Sequence, residues 1–219
     1  RSFQLSIMAT LICLIFGFPV AYYITLQPEH RRNIYIYLIT IPFWTNLLIR
    51  TFAWIIILGR GGLIETPLLK LGIIEDSLKM MYTDGAIAIG LTYSYLPLMV
   101  LPIYASLEKL DFRLLEAASD LYASRWQVMT KVVIPLCKPG IIAGCILVFI
   151  PCIGAFIAPN LLGGGKNLML GSLVQFQFAS ARNWPFGSAI SMLLLAAVVV
   201  ALVIYARSAK KKEYIQGAT

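Results

Sequence analysis

The sequence predicts an all-α polytopic membrane helix bundle, and three observations predict it. Hydrophobic residues make up 59% of the 219 residues and charged residues only 13%, against roughly 45–50% and 25% in soluble domains. A soluble fold of this size has too little interior to hide that much apolar surface. The apolar residues fall in uncharged runs long enough to span a bilayer, which takes about 20 residues. The Lys and Arg behind the net charge of +8 cluster between those runs. That pattern belongs to membrane topology and excludes a nucleic-acid-binding face.

Taken in order, the spans are residues 2–28, 33–59 (interrupted by Arg50), 85–107, 139–165 and 183–206. The stretch 167–181 is also uncharged but short, and Gln175 and Gln177 make it a re-entrant or interfacial helix. Arg31, Arg32, Lys109, Arg113, Arg125, Lys131, Lys138, Arg207, Lys210, Lys211 and Lys212 fall on one side. Arg60, Lys70, Lys79, Lys166 and Arg182 fall on the other. The positive-inside rule therefore sends residues 27–33, residues 108–138 and the C-terminus to the cytoplasm. Five spans leave the N-terminus outside, and an opening Arg1 in place of Met predicts a further span upstream.

Pro19, Pro42, Pro97, Pro102 and Pro151 lie inside these spans, and each predicts a kink suited to a cavity-lining bundle. Gly140, Gly144, Gly154, Gly187 and Ser191 offer small faces for close helix packing. Cys13, Cys137, Cys145 and Cys152 form no CxxC pair or Cys/His cluster, so neither a metal site nor a disulfide framework is expected. His30, beside Glu29, Arg31 and Arg32, reads as a solvated loop residue.

Residues 108–138 are too long for a structureless loop and carry helical signals. Asp111 is placed to cap a first helix with Leu114, Leu115, Ala118 and Leu121 on one apolar stripe. Ser124 and Gln127 have capping-box spacing for a second, with Met129, Val132 and Val133 on one side and Pro135 to stop it. Two short amphipathic helices with a turn near Tyr122 and Ala123 result, a device suited to docking on a cytosolic partner, the alternative being an interfacial pair that lies on lipid.

Glu116-Ala117-Ala118, followed by Ile134-Pro135-Leu136, resembles the EAA loop of binding-protein-dependent ABC transporter permeases, the MetI-like family. IPFWTNLLIRTFAW (41–54), LPLMVLPIYASLEKLD (96–111), PGIIAGCILVFIP (139–151), NLLGGGKNLMLG (160–171) and RNWPFG (182–187) look like its spermidine/putrescine permeases. The resemblance implies a type I importer permease fold in a bacterial inner membrane, with 1–219 as one transmembrane domain. It also implies three protein partners: an ABC ATPase dimer, a second homologous permease and an external polyamine-binding protein. Glu116, Ala117, Ala118, Asp120, Leu121 and Tyr122 would then couple to the ATPase. Glu116 would pair with a basic residue there, and the alanines would permit close approach. Glu116 could otherwise pair with Arg113 one turn away. The family usually has glycine where this chain has Tyr122, so either the turn stays right-handed or Tyr122 is strained.

No catalytic residues or cofactor are expected on this chain, and ATP with magnesium would sit on the partner ATPase. GGGK at 163–166 lacks phosphate-loop spacing and is followed by Asn167. For a polycation path, aromatic faces and carboxylates are the natural lining. Trp44, Asn46, Tyr93, Tyr95, Asp84 and Trp184 are the candidates, Trp44, Asn46 and Tyr95 foremost because polar atoms inside spans usually face the bundle. Arg50 would repel such cargo, so it either snorkels to the outer interface or gates the path by binding backbone carbonyls of the partner permease. A permease of the same family for another small solute, such as an amino acid, is the alternative. A gradient-driven transporter would need intramembrane carboxylates, which the spans lack.

Overall fold

The computed structural model describes residues 1–70, 80–111, 113–165 and 168–216, so Lys79, Lys166 and Asn167 lie outside the described residues. Within them all regular structure is helical. The helices run α1 (Ser2–Thr25), α2 (Glu29–Trp44), α3 (Leu47–Leu58), α4 (Glu65–Lys70), α5 (Asp84–Glu108), α6 (Arg113–Asp120) and α7 (Arg125–Val128). A π-turn (Met129–Val133) leads to α8 (Ile134–Leu136), α9 (Lys138–Gly154), α10 (Ile157–Leu162), α11 (Leu170–Ala179) and α12 (Trp184–Gln216).

The core is the mutual packing of α1, α5 and α9. Most polar groups in their walls are bonded to backbone carbonyls, the Ser6 and Thr92 hydroxyls being the exceptions. Thr10 donates to the Ser6 carbonyl at 2.7 Å, Thr25 to that of Ala21 at 2.9 Å, and Cys13 reaches the Thr92 carbonyl on α5 at 3.5 Å. Small residues set the spacing. A Cβ at Gly17 would lie 3.0 Å from the Met99 side chain, and one at Gly144 would lie 2.8 Å from Met99 Sδ. At Gly140 it would meet the Pro102 carbonyl at 2.5 Å and the Ser106 hydroxyl. Two of the predicted small faces are thus the contact between α9 and α5. Gly154 is not one of them: a Cβ there meets open space, and its carbonyl instead abuts Gly171. Gly187 seats the Phe178 ring, 3.1 Å from a would-be Cβ, and Ser191 bonds back to its carbonyl at 2.9 Å.

Among the described residues, three single helices have the length and apolarity of a span: α1, α5 and the Trp184–Val203 part of α12. Two bent pairs raise the number to five, in accord with the sequence count but with different shapes. The second expected span is broken, α2 and α3 meeting at 92°. Pro42 weakens the end of α2, Thr45 is extended, and Asn46 starts a new helix by accepting from the Leu48 N–H at 2.8 Å. The fourth expected span runs past its true end. α9 stops at Gly154, just after Pro151, the chain is extended at Ala155, and α10 folds back beside α3 and α5. Instead, α9 pairs with the segment before it, Arg125–Leu136, at 67°.

The uncharged stretch 167–181 does hold a short helix, α11, packed on α12, with the Leu170 N–H donating to Ser2 Oγ at 2.9 Å. Gly164 and Gly165 adopt φ of 64° and 69°, the left-handed turn that glycine permits. His30 is exposed, as expected, but sits in the first turn of α2 rather than in a loop. Pro28 is fixed at φ −60° as N-cap, and Glu29 favours the positive end of the helix dipole.

Gly144→Val is expected to force α9 off Met99 at a cost of about 1–3 kcal/mol, the usual range for overpacking. A lowered thermal midpoint in detergent measures it, and Gly154→Ala should not lower that midpoint.

Candidate functional site

The segment following α5 is shaped by its own caps. The Asp111 carboxylate accepts from the Arg113 N–H at 3.0 Å and starts α6. At the far end of α6 the Ala123 N–H donates to the Ala118 carbonyl at 3.2 Å and the Tyr122 N–H to that of Ser119 at 2.9 Å. This pair of bonds is a Schellman motif, which requires a left-handed residue after the helix. Tyr122 supplies it at φ 56°, so of the two alternatives the strained one holds. Ser124 and Gln127 close the expected capping box at 2.8 and 3.3 Å. Pro135 does not stop the second helix. The Ile134 N–H donates to the Met129 carbonyl across a π-turn, and this wider turn immediately precedes the proline ring. The chain bends only at Cys137.

The inner face of this unit rests on the bundle. Val133 and Cys137 are fully buried, and Leu115, Val128 and Met129 lie against the core. The expected apolar stripe on α6 is split, because Leu114 and Leu121 point outward while Leu115 and Ala118 turn inward. The outer surface carries Leu121, Tyr122 at 98% exposure and Trp126 at 75%. Glu116, Ala117 and Asp120 are exposed as well. Glu116 forms no ion pair with Arg113 among the described residues. Ala118, Leu121, Tyr122, Gln127 and Lys131 line a groove of about 440 Å³.

The second set of predicted residues is not brought to one place. Tyr95 lines a cavity of about 110 Å³ with Leu47, Ser94 and residues 154–158, where α3, α5 and the α9–α10 break meet. None of the other five lines it. Trp44 ends α2 at 84% exposure, and Asn46 spends its side-chain oxygen on the cap of α3. Tyr93 stacks edge-on with Trp54 at 5.6 Å, and Trp184 with Phe178 at 5.9 Å. Asp84 is exposed in the first turn of α5. Arg50 is half-buried, 5.8 Å from the Phe43 ring centroid, with Nη1 3.5 Å from the Ser94 carbonyl. It does meet a backbone carbonyl, but one of this chain's own α5.

Sequence reasoning missed a polar cluster at the opposite end of α5. Arg32 reaches the Glu108 carboxylate at 3.5 Å and the Thr25 carbonyl at 3.1 Å, while Tyr104 donates to Glu108 at 2.7 Å. The sequence uses Arg32 for topology alone; the usable signal is its place three residues before Tyr35, the first of the α2 residues that touch the core.

Tyr122→Gly is expected to relieve about 1 kcal/mol of left-handed strain. Slower amide exchange across 117–123 measures that gain, and Tyr122→Val should quicken it.

Residues 5–213 match the family described as binding-protein-dependent transport system inner membrane component. Among curated relatives, the spermidine/putrescine transport system permease protein PotB of Escherichia coli (strain K12) is 44% identical over 210 residues, covering 96% of this chain and 76% of that protein. PotB of Haemophilus influenzae is 43% identical, with 96% and 73% covered. YdcU of Escherichia coli, an inner membrane ABC transporter permease protein, is 30% identical over 93% of this chain and 69% of its own length. In backbone, a bacterial ABC transporter involved in import of the acidic polysaccharide alginate aligns with a TM-score of 0.68 at 13% identity, over 96% of this chain and 78% of that one. At that identity the likeness speaks for the fold alone, a MetI-like permease. The chain belongs to the binding-protein-dependent transport system inner membrane component family.

Proposed function

We propose that this chain is the permease subunit of an ATP-driven importer of polyamines, spermidine or putrescine, and forms half of the translocation pathway. The single observation that carries it is the 44% identity to PotB over 96% of the chain, which includes the Glu116-Ala117-Ala118 helix with Glu116 and Ala117 exposed. In this reading residues 1–219 are one transmembrane domain in a bacterial inner membrane, with 108–138 and the C-terminus in the cytoplasm. An ATPase dimer receives α6 and α7, a second homologous permease completes the path, and an external binding protein delivers cargo. ATP and magnesium are held by the ATPase, and this chain hydrolyses nothing.

The shape of the loop suits that role. Glu116 is exposed and free of Arg113, so its charge is available to a basic residue on a partner. Leu121, Tyr122 and Trp126 present an apolar and aromatic surface, the composition that dominates interface energetics. The caps on both helices hold this surface in shape before any partner arrives, which lowers the entropy cost of docking. For cargo, Tyr95 and the cavity beside it offer an aromatic wall attractive to ammonium groups, while the Ser94 carbonyl there is taken up by Arg50. Trp44, Tyr93, Asp84 and Trp184 would act, if along the path, at separate points. Arg50, held against Ser94 and Phe43, reads as a structural tether of α3 to α5.

Two measurements test this. Cells lacking their own polyamine uptake and expressing the complete transporter should accumulate labelled spermidine or putrescine but not a labelled amino acid; the reverse selectivity assigns another small solute. Glu116→Ala should lower recovery of the ATPase on co-purification by about 10-fold or more, the effect of removing one charge-assisted bond of roughly 1.5–3 kcal/mol. Undiminished recovery overturns the docking role.

A further inference from the structure

We propose that Arg32 and Glu108 form a latch that passes movement of α6 and α7 to α2, which makes them positioning residues for coupling. This inference rests on the reading above, in which α6 and α7 receive the ATPase.

The latch joins three helix ends at one point. Arg32 lies in the first turns of α2, its guanidinium reaching back to the carbonyls of Thr25, the last residue of α1, and of Gln27, two residues past it, at 3.1 and 3.5 Å. The Thr25 carbonyl belongs to the negative end of the α1 dipole, so the cation is well placed. The same guanidinium meets Glu108, the last residue of α5, at 3.5 Å, and Tyr104 one turn earlier steadies that carboxylate at 2.7 Å.

The latch contributes little to stability. The pair is 22% and 50% exposed, and partly exposed ion pairs are worth little against water and salt. Its position gives it a different use. Only residues 109–112 separate Glu108 from α6, and Asp111 within them is the α6 cap, so α5 and α6 are joined by a short, bonded link. On the other side stands α2, which has no fully buried residue. Tyr35, Ile36 and Ile39 touch the core, Tyr35 also meets Tyr23 edge-on at 5.8 Å, and beyond Trp44 the chain breaks by 92°. An element with so little buried surface is the one that shifts most readily. It is held at its start by Arg32 and, past the break, by Arg50 against Ser94 of the same α5. Both arginine tethers of the α2–α3 unit therefore end on the helix that feeds α6.

Hydrogen exchange on the ATPase-bound complex in nanodiscs, nucleotide-free and with Mg-ATP plus vanadate, tests this without reference to cargo. In the wild type, nucleotide should change exchange in α6–α7 and, several-fold, in α2. Glu108→Ala and Arg32→Gln should keep the α6–α7 response, thermal midpoint and ATPase recovery while abolishing the α2 response. Arg32→Lys, which retains the charge, should restore most of it. An α2 response equal in wild type and Glu108→Ala, or absent from both while α6–α7 respond, overturns the latch and leaves the transport reading intact. A loss that tracks with a lower midpoint makes the pair structural only and also overturns it. If α6–α7 of the wild type do not respond to nucleotide, the coupling reading itself falls, and the latch with it.

Discussion

The close approach of α5 to α1 and α9 is the constraint on which the rest of the fold depends. In a bilayer, lipid tails are as apolar as leucine, so helices associate through contact rather than through escape from water. Met99 makes that contact here, with Gly17 on one side and Gly144 on the other, and it is fully buried between them. A second contact, Gly140 against the Pro102 carbonyl and Ser106, fixes the angle as well as the distance. With α5 clamped in this way, its middle and its C-terminal end become reference points. The Ser94 carbonyl receives Arg50, and Glu108 receives Arg32.

The peripheral elements obey a different rule. α2 has no fully buried residue, and the span-like part of α12 is almost wholly unburied within the chain. Their outward faces carry Tyr37, Leu38, Met192 and Leu193, apolar side chains that need a non-aqueous surrounding. The fold therefore has a rigid centre, made of three helices, and edges held by a few polar tethers. Helices α6 and α7 are small, but their caps give them definite shape without much burial.

Much of this was legible from residue order. Charge spacing located the bundle and the loop, and the Ser124–Gln127 box and the Asp111 cap appeared where their side chains allowed. Gly140 and Gly144 were found as contacts because their spacing repeats one helical turn. The errors in the spans share one cause. Hydropathy reports that a stretch prefers an apolar setting and is silent on direction, so 33–59 and 139–165 read as single kinked spans although each breaks sharply. Pro42 and Pro151 were visible, yet a proline alone does not separate a kink from a break; the extended backbone at Thr45 and Ala155 does that. The candidate path was legible only as a list of residue types. Asn46 looked like a polar group facing the bundle, whereas its oxygen is committed to the backbone of α3.

The π-turn at Met129–Val133 has a consequence for how this loop can vary. A π-turn holds one residue more than the α-helical turn it replaces, and one residue in an α-helix is worth about 100° of rotation. Losing a residue there would leave a more regular backbone, yet it would swing α6 and α7 around the axis leading into α9 and aim Glu116 and Trp126 elsewhere. Length in this stretch is therefore a form of addressing: composition can drift while the residue count stays fixed.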